Sequence, residues 1–293
     1  MVTVRAPATS ANLGSGFDVF GLALSRPVDE ITVTRAETTT IEVTGAGAEF
    51  VPTDPAENTA GVVAAALDAP AHIHIDKGVR PASGLGSSAA SAAAAAVALD
   101  ALYGRGYSRR ELVRVAAEGE AAVAGEAHAD NVAPAILGGF TGTTPSSIVA
   151  TQAPVGLEVV VALPAQIIST ADAREVVPAS VSLPELTTTV GAAATLCGGM
   201  YQADPALIGA GLVDGPTTRA RAELIDGYEA AVAAAERAGA LGVTVSGAGP
   251  AVLAIPEVGK SQPVAAAVVE GFAECDVEAR ALPVEIGYGA EIE

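Results

Sequence analysis

The chain has 293 residues, 34 acidic against 15 basic side chains for a formal charge of −19, half of its residues apolar, and two cysteines. That length and apolar content are enough to bury a core without staples, and a field of that sign excludes nucleic acid and anionic membranes as partners. Only Lys77 and Lys260 are lysine; such an acidic, lysine-poor shell stays hydrated in brine, where charge is screened within about 3 Å at 1 M salt, and predicts a halophilic source.

In chain order, residues 1–45 alternate as strands, with Ile31, Val33, Ile41 and Val43 on one parity and a glycine-bearing interruption from Asn12 to Gly21. Met1 runs straight into this alternation with no charged leader and apolar core behind it. The longest apolar run, Ala92 to Leu99, is far short of the roughly 20 residues a bilayer needs. A cytoplasmic protein is expected. A loop from Gly45 to Pro55 leads to a helix over Asn58 to Leu67, a strand over Ala71 to Ile75, a Gly-Ser loop over Ser83 to Ser88 and an alanine-rich helix from Ala89 to Tyr103. A second helix runs from Ser108 to Val123, with Ser108 and Glu111 spaced as a capping box.

Beyond Gly138-Gly139 the pattern predicts a strand at Leu157 to Leu163, helices at Leu183 to Met200 and Thr218 to Ala238, a strand at Val243 to Ser246, a helix at Val264 to Phe272 and a last strand at Val277 to Leu282. Strands and helices mix without strict alternation, which is an α+β pattern. The polar stretch Thr141 to Gln152 puts a boundary near residue 150, giving domains 1–150 and 151–293. Cys197 and Cys275 form no Cys-x-x-Cys pair, so a zinc ribbon is excluded and two buried apolar thiols in a reducing compartment are expected. His72 and His74 share a strand face but have no third ligand near in sequence, which argues against a metal there.

The segment from Pro81 to Ser91, PASGLGSSAAS, carries the strongest chemical signal. Gly84 and Gly86 permit left-handed backbone and close approach of a ligand. Ser87 and Ser88 then open a helix whose free N–H groups and positive dipole end suit a polyphosphate. It is neither a Walker A loop, having no GxxxxGK[ST], nor a Rossmann fingerprint.

That string resembles the ATP loop of the GHMP kinases, a superfamily of small-molecule kinases. Pro7 to Asp18 is similar to the superfamily's first motif and Thr244 to Ala251 to its third, in the right order over nearly the whole chain. The resemblance implies a two-domain fold, a ribosomal protein S5 domain 2-like N-terminal domain and a ferredoxin-like C-terminal domain, with ATP and substrate between them. Three blocks, Ser10 to Leu24, Gly125 to Phe140 and Ser169 to Pro178, resemble the homoserine kinase branch. L-homoserine as acceptor, a place in threonine biosynthesis and a homodimer follow from that likeness. Another acceptor, such as shikimate or pantoate, or a non-catalytic ligand sensor, is the alternative.

Carried over by resemblance, Pro81, Ala82, Ser83, Gly84, Leu85, Gly86, Ser87, Ser88, Ala89 and Ala90 wrap the triphosphate, and Asn58 contacts the nucleoside. Ser88 and Glu120 ligate Mg²⁺, a hard ion that takes oxygen ligands. Arg174 and Arg221 bind the substrate carboxylate, which suits a guanidinium fork, with Arg219 an open alternative to Arg221. Asp18 holds the ammonium, with Asn12 contributing hydrogen bonds. His128, Asp130 and Asn131, read as one short loop, surround the acceptor hydroxyl. Asn131 orients that hydroxyl, Asp130 has a site role of unspecified kind, and whether a general base is used stays open.

Overall fold

Alternation of apolar side chains builds the first sheet. In the computed structural model, which describes residues 1–125, 127–151 and 157–293, the chain opens with β1 (Val2–Ala11), β2 (Phe20–Arg35) and β3 (Thr40–Gly45). A short 3₁₀ turn at Ala48–Phe50 precedes α1 (Thr59–Ala66) and β4 (Ala71–Lys77). Ile31 and Val33 pair with Ile75 and Ile73, which pair in turn with Val43 and Ile41, so the expected parity becomes one apolar face. β3 runs parallel to β4, and the other pairings of this sheet are antiparallel.

On that face lies α2 (Ser87–Tyr103), with every residue from Ala89 to Leu99 buried. Alanine favours helix and leaves the backbone free to approach the sheet closely; a larger side chain in that seam would overpack it by about 1–3 kcal/mol. Alongside run α3 (Arg109–Ala124), whose Ser108–Glu111 capping box forms as expected, and α4 (Ala129–Leu137). The polar stretch after Gly139 is a hairpin, β5 (Phe140–Thr144) and β6 (Ser147–Thr151), paired through β5 to β2.

The second sheet has the order β10-β7-β9-β8 and is antiparallel throughout. It begins with β7 (Glu158–Pro164), followed by α5 (Thr170–Glu175), α6 (Leu183–Gln202), α7 (Pro205–Gly211), α8 (Pro216–Ala222) and α9 (Tyr228–Arg237). Then come β8 (Ala240–Val245), β9 (Val252–Pro256), α10 (Ser261–Ala273), β10 (Ala279–Glu285) and β11 (Glu291–Ile292). Val160, Ala162, Val252 and Ala254 pack against α9 and α10. Val159, Val161, Leu253 and Ile255 face the other way, onto Leu22, Leu24, Leu85 and Phe140 of the first layer. Both faces of β7 are therefore buried, which is why its sequence is an unbroken apolar run. β11 returns to pair with β1, so residues 291–292 belong to the first sheet although they follow the second.

Two expectations are corrected here, and one strand was not expected. Thr218 to Ala238 is not one helix: the chain breaks between α8 and α9, where Gly227 takes φ 80° at the N-cap of α9. Cys197 and Cys275 are both exposed rather than buried, one on the open face of α6 and one in the turn after α10. The unexpected strand is β9, a five-residue apolar run that starts directly after the glycine turn and ends on a proline. Glu126 of the Gly125 to Phe140 block, and residue 152 at the end of the polar stretch, lie outside the described residues.

Candidate active site

One cleft of about 280 Å³ lies where the two layers meet, and residues 81–84 and 86–89 form one wall of it. Gly84 and Gly86 take φ of 80° and 63°. A Cβ on Gly84 would fall 2.8 Å from the Ser246 and Gly249 carbonyls, and one on Gly86 would fall 2.1 Å from Thr9 Oγ1. The glycines are thus demanded twice, by dihedral angle and by neighbours from the first and third motifs. The loop is pinned from outside. Ser246 Oγ donates to the Gly84 carbonyl at 2.8 Å, Ala251 N to that of Ser83 at 3.2 Å, and Ser87 Oγ to that of Val79 at 2.6 Å.

Leu85 and Ala90, expected at the nucleotide, turn inward instead: both are buried in the core between the sheets, and the Leu85 carbonyl accepts from Thr9 N at 3.0 Å. Both are apolar, and their burial seats the loop against the core. Ser87, Ser88 and Ala89 line the cleft.

A buried ion pair behind the loop went unread in the sequence. Lys77, at the end of β4, is 3% exposed and bonds the Asp29 carboxylate, the Ser87 carbonyl (2.8 Å) and Ser91 Oγ (2.8 Å). Asp29 also accepts from Gly78 N, Val79 N and Ser91 Oγ at 3.1, 2.9 and 2.8 Å. Burial lowers the Lys77 pKa while Asp29 pushes it back up. The pair knots β2, β4 and the first turn of α2 together. Its only sequence signal was that a chain with two lysines keeps one beside the phosphate loop.

On the opposite wall Glu120 is buried, with Oε2 3.6 Å from His128 Nδ1 and Oε1 without a hydrogen-bond partner among the described residues. An orphaned carboxylate oxygen in a cleft that also carries the Ser88 hydroxyl fits a hard divalent cation. The Glu120 carboxylate holds His128 above the ordinary imidazole range. Burial raises Asp130 to about 6, with His128 opposing. His128, Asp130 and Asn131 are not a loop, as expected, but the N-cap and first turn of α4; Pro134 inside the helix disguised it. Asn131 Oδ1 accepts from Thr9 Oγ1 at 2.9 Å, and Asn131 Nδ2 lies 3.5 Å from Asp130 Oδ1.

At the far end Arg174 Nη1 donates to Asp18 Oδ2 at 2.8 Å. Arg221 donates from Nε to the Ala173 carbonyl at 3.1 Å and from Nη1 to that of Gly247 at 3.0 Å. Both guanidinium groups lie over the Phe17 ring, 5.4 and 4.9 Å from its centroid. Arg219 points away, to the Asp214 carbonyl and Glu185. Of the two candidates, Arg221 is the one that lines the cleft.

Asn12 lines it too, but its amide is committed to the backbone: Nδ2 donates to the Gly247 carbonyl at 3.0 Å and Oδ1 accepts from Asp18 N at 2.9 Å. Asn58 likewise caps α1, accepting from Ala60 N and donating to the Pro52 carbonyl. Around it Phe50, Val51, Pro52 and Val123 make an apolar mouth that suits a flat base. The N-termini of α1, α2 and α4 all open on this cleft, so their dipoles concentrate positive potential inside an acidic envelope.

A glycine cradle on a helix N-terminus, an orphaned carboxylate beside a serine and two stacked arginines across the same cleft define a small-molecule kinase of the GHMP class. Residues 56–139 match the family model for the GHMP kinases N terminal domain and residues 198–275 that for the GHMP kinases C terminal domain. Homoserine kinases of Halorubrum lacusprofundi and Natronomonas pharaonis are 61% and 59% identical to this chain, covering all of it and 99% and 100% of their own lengths. The crystal structure of homoserine kinase from Cytophaga hutchinsonii superposes with a TM-score of 0.91 at 31% identity, over 100% of this chain and 97% of that one. The chain belongs to the homoserine kinase family of the GHMP kinases.

Proposed function

We propose that this chain transfers the γ-phosphoryl group of ATP to the side-chain hydroxyl of L-homoserine, forming O-phospho-L-homoserine and ADP for threonine biosynthesis, as a cytoplasmic homodimer working in high salt. The observation that carries the reading is the pairing of Arg174, Arg221 and Asp18 with the phosphate loop across one cleft. An amino acid brings a carboxylate and an ammonium, and this end of the cleft offers both partners. No described helix is long and apolar enough to cross a membrane.

The loop amides and the α2 N-terminus receive the triphosphate, with the base in the mouth beside Asn58. Ser88 and Glu120 would hold Mg²⁺, which when bound would supply positive charge to offset that of the transferring phosphates. The Arg174 and Arg221 forks grip the substrate carboxylate, and Asp18 the ammonium. Asn12 serves by fixing the turn that presents Asp18. Asn131, pinned by Thr9, orients the hydroxyl for in-line attack on the γ phosphorus, as the bond to the β–γ bridging oxygen breaks and that oxygen leaves with its electron pair on ADP. Asp130 is ionised above pH about 6 and accepts a hydrogen bond from the attacking hydroxyl. Positioning and charge stabilisation supply most of the rate in such a reaction.

The test is ADP release measured in molar KCl over a panel of homoserine, shikimate, pantoate, mevalonate, serine and threonine, with the product identified by phosphorus NMR. Over shikimate, pantoate and mevalonate, which carry a carboxylate but no ammonium, homoserine should lead in kcat/KM by about tenfold or more, the worth of the one charge-assisted contact they lack. A better acceptor lacking the amino acid head would overturn the assignment.

A further inference from the structure

Behind the phosphate loop lies a second cavity, of about 490 Å³, that the proposed reaction does not use. Leu85, Leu163, Pro164 and Pro250 give it apolar walls, and Arg80, Arg280 and Glu278 are its charged lining. Two arginines against one glutamate leave a single positive charge there, inside a chain of net −19. Among the described residues neither guanidinium is in an ion pair, although acidic side chains outnumber basic ones by 34 to 15.

The sheet accounts for a charge aimed at this place. Along β10 the side chains of Val284 and Leu282 face the first layer, and Arg280 is the next position of that row. Its cross-strand partner is Leu163, whose side chain lies on the same face. An apolar stripe that ends in a guanidinium offers hydrocarbon contact and a fork for a carboxylate side by side. Arg80 comes from the first layer, one residue ahead of the loop, and its carbonyl accepts from Ser83 Oγ at 2.7 Å.

Salt decides the class of ligand. At 1 M charge is screened within about 3 Å, so a bare inorganic anion would gain little here over the chloride around it. Burial of hydrocarbon is a contribution that screening leaves intact. A single positive charge between apolar walls therefore fits a monocarboxylate with an apolar body.

The cavity shares a wall with the active cleft. Pro81, Ala82 and Ser83 line both, and Ala82 holds φ 55°, a left-handed angle unfavourable for a residue with a Cβ. Such a conformation persists only while its surroundings impose it. A ligand seated behind the loop adds to those surroundings and favours the loop as it stands, with the cradle formed. We infer that this cavity is a second ligand site, for an apolar monocarboxylate, and that its occupation tightens nucleotide binding through the shared wall. The site stands on the cavity itself; the coupling rests on the nucleotide reading above.

Phenylbutyrate is the probe, followed by ligand-observed NMR in molar KCl, with ADP binding measured by calorimetry. Phenylbutyrate should bind with a Kd of about 1 mM, what a ligand of its size gains, and should do so with or without saturating ADP. Acetate, which lacks the apolar body, and phenylbutylamine, which reverses the charge, should bind about tenfold more weakly or worse. The double variant Arg80→Gln/Arg280→Gln should weaken phenylbutyrate about tenfold or more while its own Kd for ADP stays that of wild type. By linkage, saturating phenylbutyrate should lower the wild-type Kd for ADP about fivefold, and ADP should lower that for phenylbutyrate by the same factor. No saturable binding up to about 10 mM, binding that ADP displaces, or binding that survives the double variant would overturn the site. Binding that needs the arginines but leaves the Kd for ADP unmoved would overturn the coupling. A chain that bound no ADP would defeat the nucleotide reading and the coupling with it, and the arginine variants would still decide the site.

Discussion

Replacing Lys77 by methionine isolates the buried pair behind the phosphate loop. Methionine fills much of the stem's volume but leaves the Asp29 carboxylate, 0% exposed, without its counter-charge. Removing one partner of such a pair costs about 3–5 kcal/mol. Asp29 keeps three hydrogen bonds, from Gly78 N, Val79 N and Ser91 Oγ, so the lower end of that range is expected, about 3 kcal/mol out of a total of roughly 5–15. The Ser87 carbonyl also loses a donor at the first turn of α2. A loosened loop should raise KM for ATP about tenfold, the worth of one charged hydrogen bond, with little change in KM for homoserine. The double variant Asp29→Asn/Lys77→Met removes both charges and should recover about 2 kcal/mol over the single change, a coupling of the size seen for residues in one network. Urea unfolding at fixed molar KCl, followed by circular dichroism, measures all four corners of the cycle. A single variant within about 1 kcal/mol of wild type, or a double variant no more stable than Lys77→Met, would refute the account.

Asp130→Asn should act in opposite directions on stability and activity. Burial raises this carboxyl from 3.8 to about 6, so the folded chain binds its proton more tightly than the unfolded one and loses stability as pH rises through that window. Asparagine should therefore raise the stability at pH 7 by on the order of 2–3 kcal/mol in thermal melts. Wild-type kcat/KM for homoserine should fall below pH about 6 and the variant's profile should be flat there; nearly full kcat for the variant across pH would exclude a general-base role. Arg221→Lys keeps the charge but loses the fork and its two carbonyl contacts, so kcat/KM for homoserine should drop by about 30- to 100-fold while KM for ATP moves less than about twofold in steady-state assays. Glu120→Gln leaves a neutral amide where a carboxylate oxygen was orphaned, and a Mg²⁺ titration of activity should show the half-saturating concentration raised by about tenfold or more.

The parts of this molecule that could be read in the sequence were those with local causes. The parity of Ile31, Val33, Ile41 and Val43, the capping box at Ser108 and the left-handed backbone at Gly84 and Gly86 each show in the residue types of a short stretch, although the close neighbours that also demand those glycines come from distant chain. What escaped depends on distant chain. Lys77 shows its purpose only when β2 brings Asp29 across the sheet to it. Leu85 and Ala90 sit inside a motif whose string cannot say which side chains turn towards the core. The first turn of α4 was hidden by Pro134, and the end of α8 by helix-forming residues that continue past it until Gly227. Which of Arg219 and Arg221 lines the cleft is a matter of helix phase: Arg221 packs on Phe17 and bonds the Gly247 carbonyl.

The return of β11 to the first sheet has a mechanical meaning. After β10 the chain returns to the first layer, where β11 pairs with β1, Glu293 N bonds the Thr3 carbonyl and Arg5 meets the Glu293 side chain at 2.9 Å. The same two layers are already joined by the packing of Val159, Val161, Leu253 and Ile255 on Leu22, Leu24, Leu85 and Phe140, so the returning strand acts as a clasp on a seam that is closed along its length. Clipping the last few residues would undo the clasp and leave that apolar seam to hold the registration of the two layers alone.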